Sequence, residues 1–467
     1  MRSYLRKQCL ERFALALEAK VQFFALLEAG ETEAAGMLLV GCQQTVMDLG
    51  DLLEKEEQTE EIVRKLTQVC EEIYETHTAL FGDAENHREA NPSEAGGHFS
   101  CGQDLLREAW EMFLQNVPEE KEVVFFPYNS SMWDCLASFW KEKKAEPGTK
   151  VYVVPIPYYE RTPDGGLGQI HYEGDHFPPE VEITPLAQYD PALRHPDEIY
   201  IHNPYDGNNL VTSVAPAFYS DQLKKYTDRL IYVPYFVLGE PQEDDPAVYE
   251  TEEFFERMRH FCVLPGVLHA DCVILPSEKM KQIYIDTLDH WLNPDLTPGF
   301  KEALDRKFLV HHSTKEEHYK RLAKEGVEVP EAWKSLLLDE DGQLRKSIFY
   351  NTSVLSMLNG AQKMLQKIRD TLAIFYEERN NVVLIWRPHP LMENTLRALS
   401  PELLEEYRDI VEGYRAGGWG IYDDLPNADA AMILSTAYYG DNSSLVQLYH
   451  SLDKPVMVQN IDVLNHD

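Results

Sequence analysis

Four short stretches place groups suited to anionic ligands where the backbone changes character. Asp441-Asn442-Ser443-Ser444 stands directly before an apolar helical run, so small hydroxyl residues open a helix there. A helix start offers unpaired N–H groups and the positive end of its dipole, a setting that suits a phosphate. Arg387-Pro388-His389-Pro390 follows the apolar run 382–386. Its guanidinium can grip a phosphate bidentately, and its imidazole can donate to a bridging or leaving-group oxygen. The flanking prolines fix the backbone of the pair. His202 closes a second apolar run, in Tyr200-Ile201-His202-Asn203-Pro204-Tyr205-Asp206, with Asp206 as a group that could orient it. A base on one wall and a phosphate-stabilising group on the other would suit transfer from a nucleotide donor to a hydroxyl acceptor. Asn351-Thr352-Ser353 opens a further helix after the run 347–350 and adds a weaker anion or ribose contact. The plainer readings are turn residues for the two histidines and an ordinary helix cap for Asn351 and Thr352.

Such residues need a frame that turns them toward one place. The runs 123–126, 151–154, 198–201, 230–233 and 272–275 are apolar without alternation, as parallel strands buried on both faces are. Helical patterns lie between several of them, which predicts a doubly wound parallel sheet. Residues 155–196, rich in Pro, Gly and Tyr, read as a long functional or flexible loop, and 277–342 as a charged helical passage between domains. A second α/β unit follows, with strands at 347–350 and 382–386 and helices at 354–378 and 402–415. The stretch 422–460 then reads as a buried strand, a polar loop, a helix and a second strand. Two such domains joined by a hinge leave a cleft between their strand C-termini, with His202 and His389 on opposite walls.

Residues 1–80 are predicted helical, with stripes Leu10, Phe13, Leu17, Val21, Phe24 and Ile62, Leu66, Val69, Ile73, and breaks at Gly30 and Gly50-Asp51. The stripes pack against one another or the main body; a dimer face and a docking face for a membrane partner are the alternatives. A linker is expected over 81–101 and a short helix over 103–115. The expected division is a helical region 1–118, a first Rossmann-like, acceptor-side domain 119–342, and a second, nucleotide-donor domain 343–467.

The 467 residues are too many for one core. A formal net charge of −36, from 79 acidic and 43 basic residues with no Lys/Arg run, excludes a nucleic-acid partner and disfavours an anionic membrane. Seven cysteines, odd in number and without a C-x-x-C pair, argue against a disulfide framework or zinc site. His311-His312 lacks carboxylate partners at ligand spacing, so no metal is assigned. No apolar run approaches the ~20 residues that span a bilayer. Arg2, Arg6, Lys7, Glu11 and Arg12 interrupt any signal-peptide core, so the cytoplasm is the expected location. P-loop, nucleophile-elbow and zinc-protease motifs do not occur.

The order strand–His202, then Arg387-Pro388-His389-Pro390, then Ala428-Asp429-Ala430-Ala431-Met432-Ile433-Leu434-Ser435 with Asp441-Asn442-Ser443-Ser444 and Leu452-Asp453-Lys454-Pro455-Val456, resembles the CDP-glycerol glycerophosphotransferase family. These are the teichoic-acid polymerases and primases of Gram-positive bacteria. The resemblance runs over about 345–460 and more faintly over about 120–275. It implies a GT-B fold, two Rossmann-like domains with the donor held mainly by the C-terminal one. It further implies His202 as base toward the acceptor, and His389-Pro390 with the serine loop at the donor phosphates. The family's His-Gly-Thr-Pro is His202-Asn203-Pro204-Tyr205 here, and Asn442 replaces a tyrosine, so a remodelled acceptor side is expected.

The expected activity is transfer of glycerol phosphate or a related group from a CDP-linked donor to a hydroxyl acceptor, a lipid-linked one and peripheral contact with the inner membrane face included. No cofactor beyond the donor is expected. Arg387, His389, Ser443 and Ser444 would hold the pyrophosphate, with Asp441, Asn442, Asn351 and Thr352 beside them. One rival is a GT-B glycosyltransferase using a UDP- or GDP-sugar. The other is a catalytically idle nucleotide-binding or assembly protein, oligomeric through its N-terminal helices, for which the altered His202 motif and the early end at Asp467 speak.

Overall fold

Apolar runs that cannot be wetted on either face end up as central strands. The computed structural model of the chain describes residues 1–83, 89–162, 164–236, 251–293, 297–311 and 314–459. His312 and Asn460 lie outside them. The strands are β1 (Lys121–Phe126), β2 (Thr149–Val153), β3 (Tyr158–Arg161), β4 (Leu167–His171), β5 (Glu198–Ile201), β6 (Thr212–Val214) and β7 (Arg229–Tyr232). They continue with β8 (Cys272–Leu275), β9 (Phe308–Val310), β10 (Ser347–Thr352), β11 (Val383–Pro388), β12 (Ile421–Tyr422), β13 (Ala437–Gly440) and β14 (Val456–Val458).

The first sheet has the order β2-β1-β5-β7-β8-β9. Strands β1, β5, β7, β8 and β9 are parallel, with Phe126 opposite Ile201 and Ile201 opposite Tyr232. Val124, Ile199, Leu230 and Val273 feed one buried cluster, and Phe125, Tyr200 and Ile231 feed the other. The second sheet, β12-β11-β10-β13-β14, is parallel throughout. Each sheet reverses its winding once. The chain runs outward from β1 to β2 and returns across β1 to β5; it runs from β10 to β11 and β12 and returns across β10 to β13. Ligands of open α/β sheets settle at such reversals, beyond the strand C-termini. The architecture is α/β and GT-B-like, two Rossmann-like parallel sheets with a helical N-terminal segment.

Two local readings change. The long loop 155–196 contains β3 and β4, which pair antiparallel with each other and, through β3, with the later β6. In the last stretch, Asp429–Leu434 is a helix, and the strand is β13 behind it. Two alanines and a methionine suit a helix turn as well as a buried strand, and so short an apolar run has no period to decide between them. Strand β13 ends on Gly440 at φ +139°, where a Cβ would strike the Asn351 carbonyl, so glycine lets β13 close against β10.

The segment Met1–Glu122 with Glu146–Lys150 is a compact unit of its own. It contains helices α1 (Ser3–Glu28), α2 (Thr32–Leu53), α3 (Glu60–Phe81) and α4 (Pro92–Asn116) around a core that includes Phe13, Phe23, Leu39, Leu66, Phe99 and Phe113. Val21 is exposed; the buried face of α1 is Cys9, Phe13, Ala16 and Phe23. Helix α2 passes through Gly50, and α4 begins at Pro92 within the expected linker. Proline at a first helical turn is favourable, and Gly102 lets α4 approach Glu72 of α3 closely. No helix among the described residues is long and apolar enough to cross a membrane.

Candidate functional site

The C-terminal ends of β1 and β10, where the two sheets reverse, open onto one cavity of about 590 Å³. Its first wall is the loop 129–133 behind β1 and the start of helix α5 (Asp134–Ala145). Its second wall carries Asn351, Ser353, Arg387, His389, Ser443 and Ser444. The helix Thr314–Glu325 adds Lys315, Glu317, His318 and Arg321, with Asp429 nearby.

Two helix starts meet on the second wall. Ser353 caps the helix Val354–Glu377, accepting from the Ser356 N–H at 3.2 Å. Ser443 caps the helix Ser444–Ser451, accepting from the Leu445 N–H at 3.3 Å. Asn351 ties the two together, donating from Nδ2 to Ser443 Oγ at 3.1 Å and to the Tyr438 hydroxyl at 3.1 Å. His389 is only partly buried, and its Nδ1 accepts the Leu391 N–H at 3.1 Å. The ring proton therefore sits on Nε2, leaving a neutral donor on a cavity-lining residue. Burial, and then the Arg387 guanidinium, lower its pKa to about 4.

Other expected residues support the wall from behind. Asp441 is fully buried, with Oδ1 on Lys367 Nζ at 2.5 Å and Oδ2 accepting the Ser353 N–H at 2.7 Å. A carboxylate so occupied is a strut between β13 and the helix Val354–Glu377, not a contact for a phosphate. Lys367 also donates to the Gln459 carbonyl. Thr352 is buried, and its hydroxyl accepts from Trp386 Nε1 at 3.3 Å. Asn442 is exposed and does not line the cavity. Arg387 lines it, but its guanidinium is spent on Asp423 at 2.8 Å and the Leu425 carbonyl at 3.0 Å. Burial raises the Asp423 pKa while Arg387 opposes the rise. Arg387 thus contributes a fixed positive charge to the wall more than a free fork.

His202 departs furthest from expectation. It is fully buried and does not line the cavity. Its Nε2 accepts the Tyr128 N–H at 3.0 Å, and Nδ1 lies 3.7 Å from Cys135 Sγ. Burial, and then the Lys315 charge, push its pKa down to about 3. The lone pair a general base would use is committed to the backbone of the loop that forms the first wall. Asp206 does not orient it; its carboxylate accepts the N–H and hydroxyl of Ser220 at 2.9 and 2.6 Å.

The sequence reading missed the chemistry on the helix Thr314–Glu325. His318 Nε2 lies 3.1 and 3.2 Å from the two oxygens of Asp429, 111 residues away, and its Nδ1 is 3.3 Å from Arg321 Nη2. The buried Tyr319 neighbours Asp429, whose charge, after burial itself, is among the causes that raise the phenol's pKa. Lys315 pairs with Asp134 at 3.3 Å. At the periphery Arg397, on the helix Met392–Leu399, reaches Glu160 of β3 at 2.9 Å, and Glu160 also meets His171 of β4 at 2.8 Å. His311 lies near Glu142 at 3.5 Å, and no group of acidic, His or Cys residues suited to a metal ion occurs among the described residues.

No protein-family model matches the chain, and no curated protein matches its sequence. Among solved structures it is similar to the S. aureus MnaA–UDP co-structure, at 13% identity over 72% of this chain and 78% of that one, with a TM-score of 0.40. It is similar to the wall teichoic acid polymerase TagF, at 12% identity over 74% of this chain and 72% of that one, TM-score 0.38. A UDP-N-acetylglucosamine 2-epimerase from Rickettsia bellii matches at 13% identity over 72% and 78%, TM-score 0.36.

Proposed function

We propose that the chain is a GT-B-type transferase that binds the diphosphate of a nucleotide-activated donor against the second sheet and passes the attached group to a hydroxyl acceptor entering along the first wall. The observation that carries this reading is the meeting of two capped helix starts, at Ser353 and Ser443, beside the Nε2–H donor of His389. Backbone N–H groups, a neutral imidazole donor and the fixed Arg387 charge stabilise a polyphosphate without displacing any strut. Ser443, Ser444 and Asn351 contact the donor; Asp441 and Thr352 hold those contacts in place. The donor we propose is CDP-glycerol or a related CDP-linked compound, which the resemblance of the serine loop and the His389-Pro390 step supports; a UDP- or GDP-sugar would use the same phosphate site. The acceptor is a hydroxyl compound, a lipid-linked one included, and the site of action is the cytoplasm.

The burial of His202 and the commitment of Arg387 favour a second reading, nucleotide binding without turnover. One experiment separates the two. Purified protein is titrated calorimetrically with CDP, UDP and GDP, then incubated with CDP-glycerol, UDP-sugars and GDP-sugars in the presence of solubilised bacterial membrane lipid. Release of CMP from CDP-glycerol supports the transferase and its donor. Release of UDP or GDP moves the donor to a sugar nucleotide. Binding without release supports the idle reading, and no binding removes both.

A further inference from the structure

With His202 tied to the backbone, a hydroxyl acceptor lacks the base that the strand-end histidine was expected to supply. A second imidazole in the same cavity has the arrangement required of one. Asp429 carries two acceptor oxygens, so the His318 Nε2 that meets them bears the proton and the basic lone pair stands on Nδ1. A base oriented by a carboxylate is the construction that fixes tautomer and direction in nucleophile-activating pairs. Among the described residues, the side chain that a hydrogen bond brings to Nδ1 is Arg321, on the same helix at 3.3 Å and half exposed. A cation with a mobile stem can leave Nδ1 for a phosphate oxygen when a donor arrives.

We propose that His318 is the general base for the acceptor hydroxyl, positioned by Asp429 and uncovered when Arg321 turns to the donor. The inference rests on the transferase reading above. The acceptor oxygen forms its bond to the phosphorus of the transferred group, its proton passing to His318 Nδ1. The bond from that phosphorus to the bridging oxygen breaks, and the electron pair leaves with the nucleoside monophosphate, whose oxygen accepts a hydrogen bond from His389 Nε2–H. No further reactant is consumed.

The test uses the full chain with CDP-glycerol and solubilised membrane lipid, comparing wild type with His318→Ala, His318→Gln, Asp429→Asn and Arg321→Gln. The expected result is a fall in kcat of roughly 10²–10⁴-fold in both His318 variants. CDP should bind the His318 and Asp429 variants with little change in Kd, which also reports an intact fold. Added imidazole should restore part of the His318→Ala rate and none of the His318→Gln rate, because a free base fits only the vacated space. Asp429→Asn should lower kcat less than the His318 variants, and Arg321→Gln should raise KM for the donor. Turnover retained by His318→Ala overturns the proposal while the transferase reading stands. Loss without imidazole rescue, accompanied by lost CDP binding, overturns it in favour of a packing role. A wild type that binds CDP and releases no CMP fails at the transferase reading itself, and the base role falls with it.

Discussion

His202 and His389 stand in the same sequence grammar, an imidazole one or two steps past a buried parallel strand at a winding reversal. Yet the two are put to different uses. Behind β5, the ring is swallowed by the core and spends its lone pair on the Tyr128 N–H. Behind β11, Pro390 and the Leu391 N–H turn the ring outward, with Nδ1 occupied and Nε2–H left for the cavity. What separates a scaffold histidine from a cavity-facing one is therefore which nitrogen the neighbouring backbone claims. One wall is held by a neutral hydrogen bond, the other by a buried ion pair behind a displayed donor, and that contrast can be broken or sharpened experimentally.

The largest effect is expected behind the second wall. Lys367→Met leaves the Asp441 carboxylate buried without its cation and should cost about 3–5 kcal/mol of stability, read from urea unfolding. Replacing Asp441 by Asn in the same chain should recover much of it. Next, His389→Ala should lower CMP release from CDP-glycerol by roughly 10²–10³-fold, as loss of one preorganised donor does, with the unfolding midpoint little changed. His202→Ala should do the reverse, leaving the Tyr128 N–H without an acceptor for a loss of about 1–3 kcal/mol, while turnover per folded molecule stays close to wild type. Equal kinetic losses in the two variants would erase the contrast.

Acid titration gives a smaller and graded effect. Both folded pKa values, about 3 for His202 and about 4 for His389, lie below the ordinary 6.5. Between those limits the unfolded imidazoles bind protons and the folded ones do not. The stability is complete above the unfolded value and is lost as pH falls, by about 1.4 kcal/mol per pH unit for each histidine. Urea midpoints measured from pH 7.5 to 5 should show that slope, and His202→Gln should remove one histidine's share.

Both parallel sheets were legible because their strands are apolar without alternation, and two of them, 198–201 and 272–275, have the boundaries the sequence suggested. The antiparallel sheet was not, because β3 and β4 are short, lie among prolines and glycines, and are completed by β6 after an intervening parallel strand. The glycines of α4 suggested a shorter helix, yet Gly96 faces Phe24 of α1, Gly102 faces Glu72 of α3, and the helix runs through both. At the site, the serine loop and the Arg387-to-Pro390 step announced themselves by residue type before a helix or after a strand. The division of labour within them did not, since a carboxylate's partner, such as Lys367 for Asp441, lies 74 residues off. His318 and Asp429 are farther apart still and carry no local signature; the packing of the helix Thr314–Glu325 against the helices Asp429–Leu434 and Ser444–Ser451 joins them.

The Glu160–Arg397 pair is a fastening that salt can loosen. It joins β3 of the antiparallel sheet to the helix that follows the His389 loop, and 43% of the Arg397 side chain remains in water. A pair so wetted contributes within about 0–1 kcal/mol, a bias of less than tenfold between joined and parted states. The join between β3 and the helix Met392–Leu399 therefore weakens as ionic strength rises. On the transferase reading proposed above, a donor that bridges both walls would replace a fastening worth little, and more of its binding energy would stay available for holding the reacting phosphorus.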